Sequence, residues 1–402
     1  MKVLLLNTYS QGGAGIASGR LLTALQAQGT DARLLNAADA GNRWPFYAER
    51  LSFLPYERDK SVRFSFSLAN FGKDLRQHPL VKAADVLHLH WINQGFLSLK
   101  NIAQLATLGK PIVWTLHDIW AFTGGCHIHT CDHFQQSCGN CPYLRHPAPD
   151  DLSHRIWLSK KRWFPSNIHF VTCSEWLQGM AKSSSLLANY QITSIPNPIN
   201  TAIFQPISET ERAAFRAEKG IMPTAKVVLF VAMKISEPHK GFRFLQEALQ
   251  KLKASHPHIP LEIMVIGKSD PAAMAGLPYP VHTLGLMQEA EKLARIYAAA
   301  DVFVTPTLAD NLPNTVMESL ACATPVVGFR TGGVPEMVGH QTEGYIADQG
   351  DSGALAEGIR WVLSGEKPLA ELRRAARQKV ERTYANAVVA GRYLDLYGRI
   401  LR

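Results

Sequence analysis

The chain has 402 residues, enough for two or three domains with sizeable hydrophobic cores. Apolar residues make up 46% and charged residues 19%, which excludes a disordered chain, and no apolar run reaches the roughly 18 residues of a transmembrane helix. The net charge of +9 is uneven: residues 1–200 hold 19 Lys and Arg against 12 Asp and Glu, and residues 201–402 hold 23 against 21, so the first half is the place for an anionic partner or membrane surface, with an inert basic surface as the equal reading.

The opening MKVLLLNTYSQGG carries one lysine and a very short apolar run, so it reads as a first strand rather than a signal peptide. A cytoplasmic chain with reduced thiols is expected. SQGGAGIASGRLLTALQAQG (10–29) then opens a helix, and its glycines would let the backbone approach a ligand at the helix N-terminus. The spacing does not match the dinucleotide fingerprint, and a tight turn without a ligand is an equal reading.

Short apolar runs recur along the chain, each followed by a helix-length amphipathic segment. They are VLLL (3–6), DVLHLH (85–90), PIVWTL (111–116), HFVTC (169–173), QITSI (191–195), VVLFVA (227–232), LEIMVIG (261–267), DVFVTP (301–306) and TPVVGF (324–329). Strands alternating with helices predict parallel sheets covered on both faces. Three prolines in IPNPINTAIFQP (195–206) mark a linker. The expected fold is therefore α/β, with two doubly wound Rossmann-like domains at 1–200 and 201–385. Ligands of such sheets bind beyond the carboxyl ends of the strands, which directs attention to an inter-domain cleft.

HDIWAFTGGCHIHTCDHFQQSCGNCPYL (117–144) holds four of the six cysteines, Cys126, Cys131, Cys138 and Cys141, spaced C-x4-C-x6-C-x2-C. In a reduced chain this spacing favours a structural tetrahedral Zn²⁺ over metal-free thiols or disulfides, with His127, His129 and His133 as substitute ligands. Four protein ligands would leave no open position for catalysis. Cys173 and Cys322 are expected to be ordinary buried thiols. Further on, SHRIWLSKKRWF (153–164) interleaves Arg155, Lys160, Lys161 and Arg162 with Trp157, Trp163 and Phe164. This is a candidate peripheral membrane contact, against the reading in which the aromatics face the core.

DVFVTPTLADNLPNTVMESLACATPVVGFRTGGVPEMV (301–338) is the most informative stretch. A strand ends at Pro306, Asp310 follows on a loop, and Asn311 and Pro313 mark a helix start with Glu318 one to two turns in. Carboxylates at both ends could accept hydrogen bonds from two sets of hydroxyls. Read singly, Asp310 is a cap and Glu318 a solvated helix residue.

Together these residues resemble the donor site of the retaining GT-B glycosyltransferases of family 4, the glycosyl transferases group 1, in its bacterial exopolysaccharide and colanic-acid-type subgroup. The signature reads D-NLPNTVM-E-SLACATPVV here, and GGAG, HDIWAFTGG, TCSEWL, IPNPINTAIFQP, KGF (240–242), YAAADVFVTPT and TGGVPEMV fall in the matching order. The resemblance implies a first, acceptor-side domain on which the C-terminal helix 386–402 packs back, and a second, donor-binding domain. It implies a hexosyltransferase that moves sugar from a nucleotide-diphosphate sugar to a glycan or lipid-linked acceptor with retention, in cell-surface polysaccharide biosynthesis. Glu318 is implied to bind the ribose hydroxyls and Asp310 the transferred sugar, beside the Asn311 and Leu312 backbone. Lys240 would neutralise the diphosphate, Gly13 would face it, and His117 would sit near the reacting sugar. Where the family carries a second phosphate cation the chain has Met233, with Lys234 as the nearest substitute. Ser174 and Asn197 also fall on family motifs.

Lysine and backbone dipoles can take the phosphate charge, so no catalytic metal is expected. The cytoplasmic chain is expected to work at the inner face of the membrane and to bind no nucleic acid. A nucleotide-sugar epimerase or phosphorylase of the same architecture is the alternative enzyme. A zinc-containing nucleic-acid-binding protein is the alternative from another class.

Overall fold

The computed structural model describes residues 1–41, 43–129, 131–268 and 274–402. They form two units: Met1–Pro198 with Val389–Arg402, and Ile199–Val388.

The first unit is built on β1 (Lys2–Asn7), β2 (Asp31–Asn36), β3 (Val86–Leu89), β4 (Ile112–Leu116), β5 (Ile168–Thr172) and β6 (Gln191–Ser194), all parallel in the order β2-β1-β3-β4-β5-β6. Val3, Leu4, Leu5 and Leu6 are all buried because both sheet faces are covered. One face packs Val3, Leu5, Val86, Val113 and Val171 under Leu21 and Leu25 of the helix Gly12–Ala27. Val389, Tyr393, Leu396 and Tyr397 of the last helix, Asn386–Ile400, join the same cluster. The other face packs Leu4, Leu6, Leu87, Trp114 and Phe170 against Ile102, Ile156 and Leu177.

The second unit is built on β7 (Lys226–Lys234), β8 (Leu261–Lys268), β9 (Val281–Thr283), β10 (Val302–Thr305), β11 (Val326–Phe329) and β12 (Gly344–Ala347). Its order is β12-β11-β10-β7-β8-β9, again parallel. Starting from β7, the chain winds outward through β8 and β9, then returns to lay β10 on the other side of β7. That reversal creates a crevice at the carboxyl ends of β7 and β10. The corresponding reversal in the first unit lies between β1 and β3.

Each of the nine apolar runs forms a strand. The strands they omit, β2, β9 and β12, are outermost in their sheets. β2 (DARLLN) exposes Asp31 and Arg33, and an edge strand needs no continuous apolar run to pair on one side.

Candidate functional site

In the second unit, the crevice brings together the two segments singled out in the sequence. After β7 a short turn, Pro238–Lys240, carries the lysine. After β10 the chain is tied back to that turn: Leu308 N–H donates to His239 O at 2.7 Å, and Thr307 Oγ1 donates to the same oxygen at 3.1 Å. Lys240 Nζ then donates to Asp310 Oδ2 at 3.0 Å. The charge of Asp310 holds the Lys240 ammonium above the usual lysine range.

Two glycines make this close approach feasible. Gly241 (φ +71) packs so tightly that a Cβ would lie 1.8 Å from Pro306 O. Gly332 (φ +53) would place a Cβ 1.8 Å from Asp310 O. Both have a left-handed backbone and touch main chain that cannot swing aside, so only glycine fits. Gly333 N–H donates to Asn311 O at 2.7 Å and holds the same loop from its far side.

The helix Asn314–Ala321 starts after Pro313 and carries Glu318 on a buried face. Glu318 is therefore not the solvated residue that it would be on an ordinary surface helix. Leu312, six residues earlier, is buried, and Asn311 is partly buried. Met233 and Lys234 are both exposed, after a register shift in the β7–β8 ladder between Val231 and Lys234. Among the described residues no contact joins Lys234 to the Lys240–Asp310 pair.

In the first unit, the residues beyond β1, β3 and β4 are cross-linked by short polar contacts. Trp91 N–H donates to Asn7 Oδ1 at 2.9 Å, and Thr8 Oγ1 donates to Trp91 O and Asn93 O. Gly12 (φ +76) opens the first helix, and a Cβ on Gly15 would lie 2.6 Å from the Ser10 carbonyl carbon. A Cβ on Gly13 would meet no protein atom. The tight turn thus depends on Gly12 and Gly15, and the space above Gly13 is open.

His117, after β4, is partly exposed. Its Nε2 lies 2.9 Å from His90 Nδ1, and its Nδ1 3.4 Å from Cys173 Sγ. Burial of the ring pushes its pKa down to about 4, so it is neutral at physiological pH. Asp118 accepts from Trp91 Nε1 (3.0 Å) and Trp120 N–H (2.8 Å) and pairs with His127 Nδ1 (2.7 Å). His90 and Asp118 were not singled out from the sequence, and Cys173 was read only as a buried thiol. The alternating His88 and His90 of the HLH run, on a strand buried on both faces, were the available signal.

The cysteine loop departs from expectation. Cys126 and Cys141 face each other with their Sγ atoms 3.6 Å apart. Cys138 Sγ instead accepts from Gly124 N–H at 3.0 Å. The three histidines are engaged elsewhere: His127 with Asp118 and Ser67, His129 with Asp132, and His133 with Gly139 O. Among the described residues no group of three or more His, Cys, Asp or Glu side chains is arranged to hold a metal ion. The tetrahedral donor set expected of Cys126, Cys131, Cys138 and Cys141 is not formed, and zinc is not supported there. Cys322 and Cys173 are buried.

The segment 153–164 also departs from the headgroup-binding reading. It forms the helix Leu152–Trp163, in which Trp157 is buried and Lys160 is 0% exposed. Lys160 Nζ donates to Thr123 O at 2.9 Å and to Trp120 O, and sits 3.5 Å from the Trp120 ring centroid. Desolvation pushes this ammonium down to about 7. Lys160 thus cannot meet a headgroup; it fastens the loop that follows His117. Replacing Lys160 by Met would leave the Thr123 carbonyl without its donor, at about 1–3 kcal/mol, while Trp120 O would keep the Thr123 N–H at 3.3 Å. Denaturant unfolding of Lys160→Met is expected to show that loss, and unchanged stability would contradict the clamp.

These features define the class: two parallel α/β units, each with a point of strand reversal in its sheet, the GT-B architecture. The first part of the chain, residues 11–203, matches the family model described as Glycosyltransferase Family 4, and residues 225–365 match Glycosyl transferases group 1. The chain belongs to this glycosyltransferase family. It is 25% identical over 292 residues, 69% of the chain, to the D-inositol 3-phosphate glycosyltransferase of Corynebacterium efficiens, of which the match covers 66%. It is 34% identical over 110 residues, 26% of the chain, to the amylovoran biosynthesis glycosyltransferase AmsK of Erwinia amylovora, of which the match covers 27%. The matches thus span less than two thirds of these relatives. Among solved structures, Anabaena HepE in complex with UDP superposes with a TM-score of 0.64 at 17% identity, over 99% of this chain and all of that one. Among the described residues no helix is long and apolar enough to cross a membrane.

Proposed function

We propose that this glycosyltransferase moves a hexose from a nucleotide-diphosphate sugar to a glycan or lipid-linked acceptor, with retention of anomeric configuration, in cell-surface polysaccharide biosynthesis. The second unit binds the donor and the first the acceptor. The observation that carries this reading is the Lys240–Asp310 contact at the strand reversal of the second unit, followed by the buried Glu318.

The roles follow from charge. Breaking the sugar–phosphate bond leaves negative charge on the diphosphate and positive charge on the sugar. Lys240, kept protonated by Asp310, stabilises the first. When the diphosphate engages the ammonium, Asp310 is released to accept from sugar hydroxyls beside the Asn311 and Leu312 backbone. Glu318, fixed in a buried helix turn, accepts from the ribose hydroxyls, and a bidentate contact of that kind orients the nucleotide. Gly13 leaves open space for the diphosphate, and Lys234 supplies a secondary cation. His117, neutral and oriented by His90, lies near the reacting sugar, where its Nδ1 can exchange the 3.4 Å Cys173 contact for a sugar hydroxyl. The HepE–UDP complex supports a nucleotide-sugar donor by likeness, and the match to AmsK, an amylovoran biosynthesis glycosyltransferase, supports a biosynthetic transferase in the same way.

The test is transfer with a panel of UDP- and GDP-sugars and saccharide or lipid-linked acceptors, with the product's anomeric configuration read by NMR. Nucleotide release that requires acceptor, with a product of unchanged configuration, is expected. Conversion of the donor alone would indicate an epimerase, and an inverted product would refute retention.

A further inference from the structure

The helix Trp44–Phe53 is apolar on the wrong side. Pro45, Ala48 and Phe53 face the interior, as a core helix requires. Yet Trp44, Tyr47, Leu51 and Leu54, spaced i, i+3, i+7 and i+10, form a second stripe that is exposed, with Trp44 at 62% and Leu51 at 64%. A surface helix places polar residues on that face. Phe64, 68% exposed, lies in the neighbouring turn Lys60–Phe64, and Tyr56 and Phe71 are exposed nearby in the chain. Large exposed apolar residues are scattered singly along the rest of the described chain, whereas residues 44–71 hold seven. A concentration of this kind marks an interaction surface.

Charge indicates the occupant. The Arg43 guanidinium lies 5.9 Å over both Phe46 and Tyr47, and that of Arg50 lies 5.6 Å over Phe64. Lys60 is exposed at the start of the turn. None of these three cations has an ion pair among the described residues. The carboxylates of the same stretch are all engaged: Glu49 is buried and accepts from Asn70 N–H, Glu57 is paired with Arg63, and Asp59 with Arg58. The surface therefore presents cations and aromatic rings side by side, with no carboxylate left to repel an anion. Tryptophan and tyrosine, with apolar rings and polar tips, settle at the headgroup boundary, and adjacent arginines meet lipid phosphates.

We propose that the outward face of the helix Trp44–Phe53, with Phe64 and the cations Arg43, Arg50 and Lys60, docks the enzyme on a lipid surface bearing anionic headgroups. The inference rests on the reading that the acceptor is lipid-linked, and it replaces the helix Leu152–Trp163 as the membrane contact. Docking would hold the first unit where such an acceptor is presented and leave the donor chemistry untouched.

Co-sedimentation of the full chain with phosphatidylcholine vesicles, with and without phosphatidylglycerol, tests the proposal without requiring activity. Binding to the phosphatidylglycerol vesicles at low salt, weakened by salt, is expected. Trp44→Ser/Leu51→Ser/Phe64→Ser should lower the partition coefficient at least about tenfold, and Arg43→Gln/Lys60→Gln should remove the preference for anionic vesicles. Lys161→Gln/Arg162→Gln should bind as the unaltered chain does. UDP affinity, measured separately, should be unchanged in all three. If UDP affinity falls in the triple variant, the charge variant decides. Equal binding by the unaltered chain to neutral and anionic vesicles, or full binding by both patch variants, would overturn the proposal. So would a dimer in solution that the triple variant dissociates, with no vesicle binding, because a second copy would then be the occupant. Failure of transfer with intact vesicle binding would count against the enzymatic reading instead.

Discussion

Lys240→Ala is expected to lower sugar transfer roughly 100-fold, about 2.7 kcal/mol of transition-state stabilisation. Two effects add. The cation at the proposed diphosphate position is lost, and the Asp310 carboxylate, now 3.0 Å from a partner in the unaltered chain, is left uncompensated beside an anionic ligand. The second effect is separable: adding Asp310→Asn to Lys240→Ala should recover part of the UDP affinity but none of the transfer, because the carboxylate is also needed for the sugar. Additive losses in UDP affinity from the two substitutions would contradict the coupling, since residues in contact should not behave independently. Folding is not expected to be the cause, since the Lys240 side chain is 30% exposed.

The second large effect concerns acid. His88 is fully enclosed, with Nε2 2.7 Å from Thr115 Oγ1 and Nδ1 2.6 Å from Tyr397 OH, while Tyr393 OH lies 2.9 Å from the same threonine oxygen. Desolvation pushes its pKa down to about 3, and that of the adjacent His90 well below the ordinary value of 6.5. The folded rings thus stay neutral while the unfolded chain takes up protons below about pH 6.5. Stability from these groups is present above that pH and is lost as the pH falls towards the folded values. A ring that stays neutral contributes up to about 1.4 kcal/mol per pH unit, so His88 alone should remove roughly 2 kcal/mol between pH 6.5 and 5, and His90 adds to the loss in the same direction. Seven of the eight tryptophans lie in the first unit, so fluorescence-detected urea unfolding reports on it directly. Level stability from pH 7 to 5 would mean that the rings are protonated in the folded state.

The same network explains what could and could not be read from the residues. Strands buried on both faces announce themselves as apolar runs, and DVLHLH did so despite its histidines. The purpose of those histidines was hidden, because the partners of His88 are Thr115 on the adjacent strand and Tyr397, 309 residues away. The donor-side residues were legible as a motif because Asp310 and Glu318 are close in sequence. Their link to Lys240, 70 residues earlier, depends on the strand reversal that sets β10 beside β7.

Local spacing misled where side-chain direction decides. Four cysteines at ligand-like intervals do not form a tetrahedral donor set, since Cys138 is turned to a backbone amide. Lys160 directly precedes the cations Lys161 and Arg162, yet its helical phase carries it into the core, onto Trp120. The aromatic stripe at Trp44–Leu54 carries no functional signal in the sequence, because an apolar helix face reads as core until its exposure is known.

The central claim is that the second unit holds a nucleotide-sugar through Lys240, Asp310 and the buried Glu318. Calorimetric titration of UDP into the unaltered chain and into Glu318→Ala tests it most directly, because it requires neither the acceptor nor the sugar. Saturable UDP binding, weakened at least about tenfold, or roughly 1.4 kcal/mol, by loss of the carboxylate is predicted. Equal UDP affinity in the two proteins, with both folded, would contradict it.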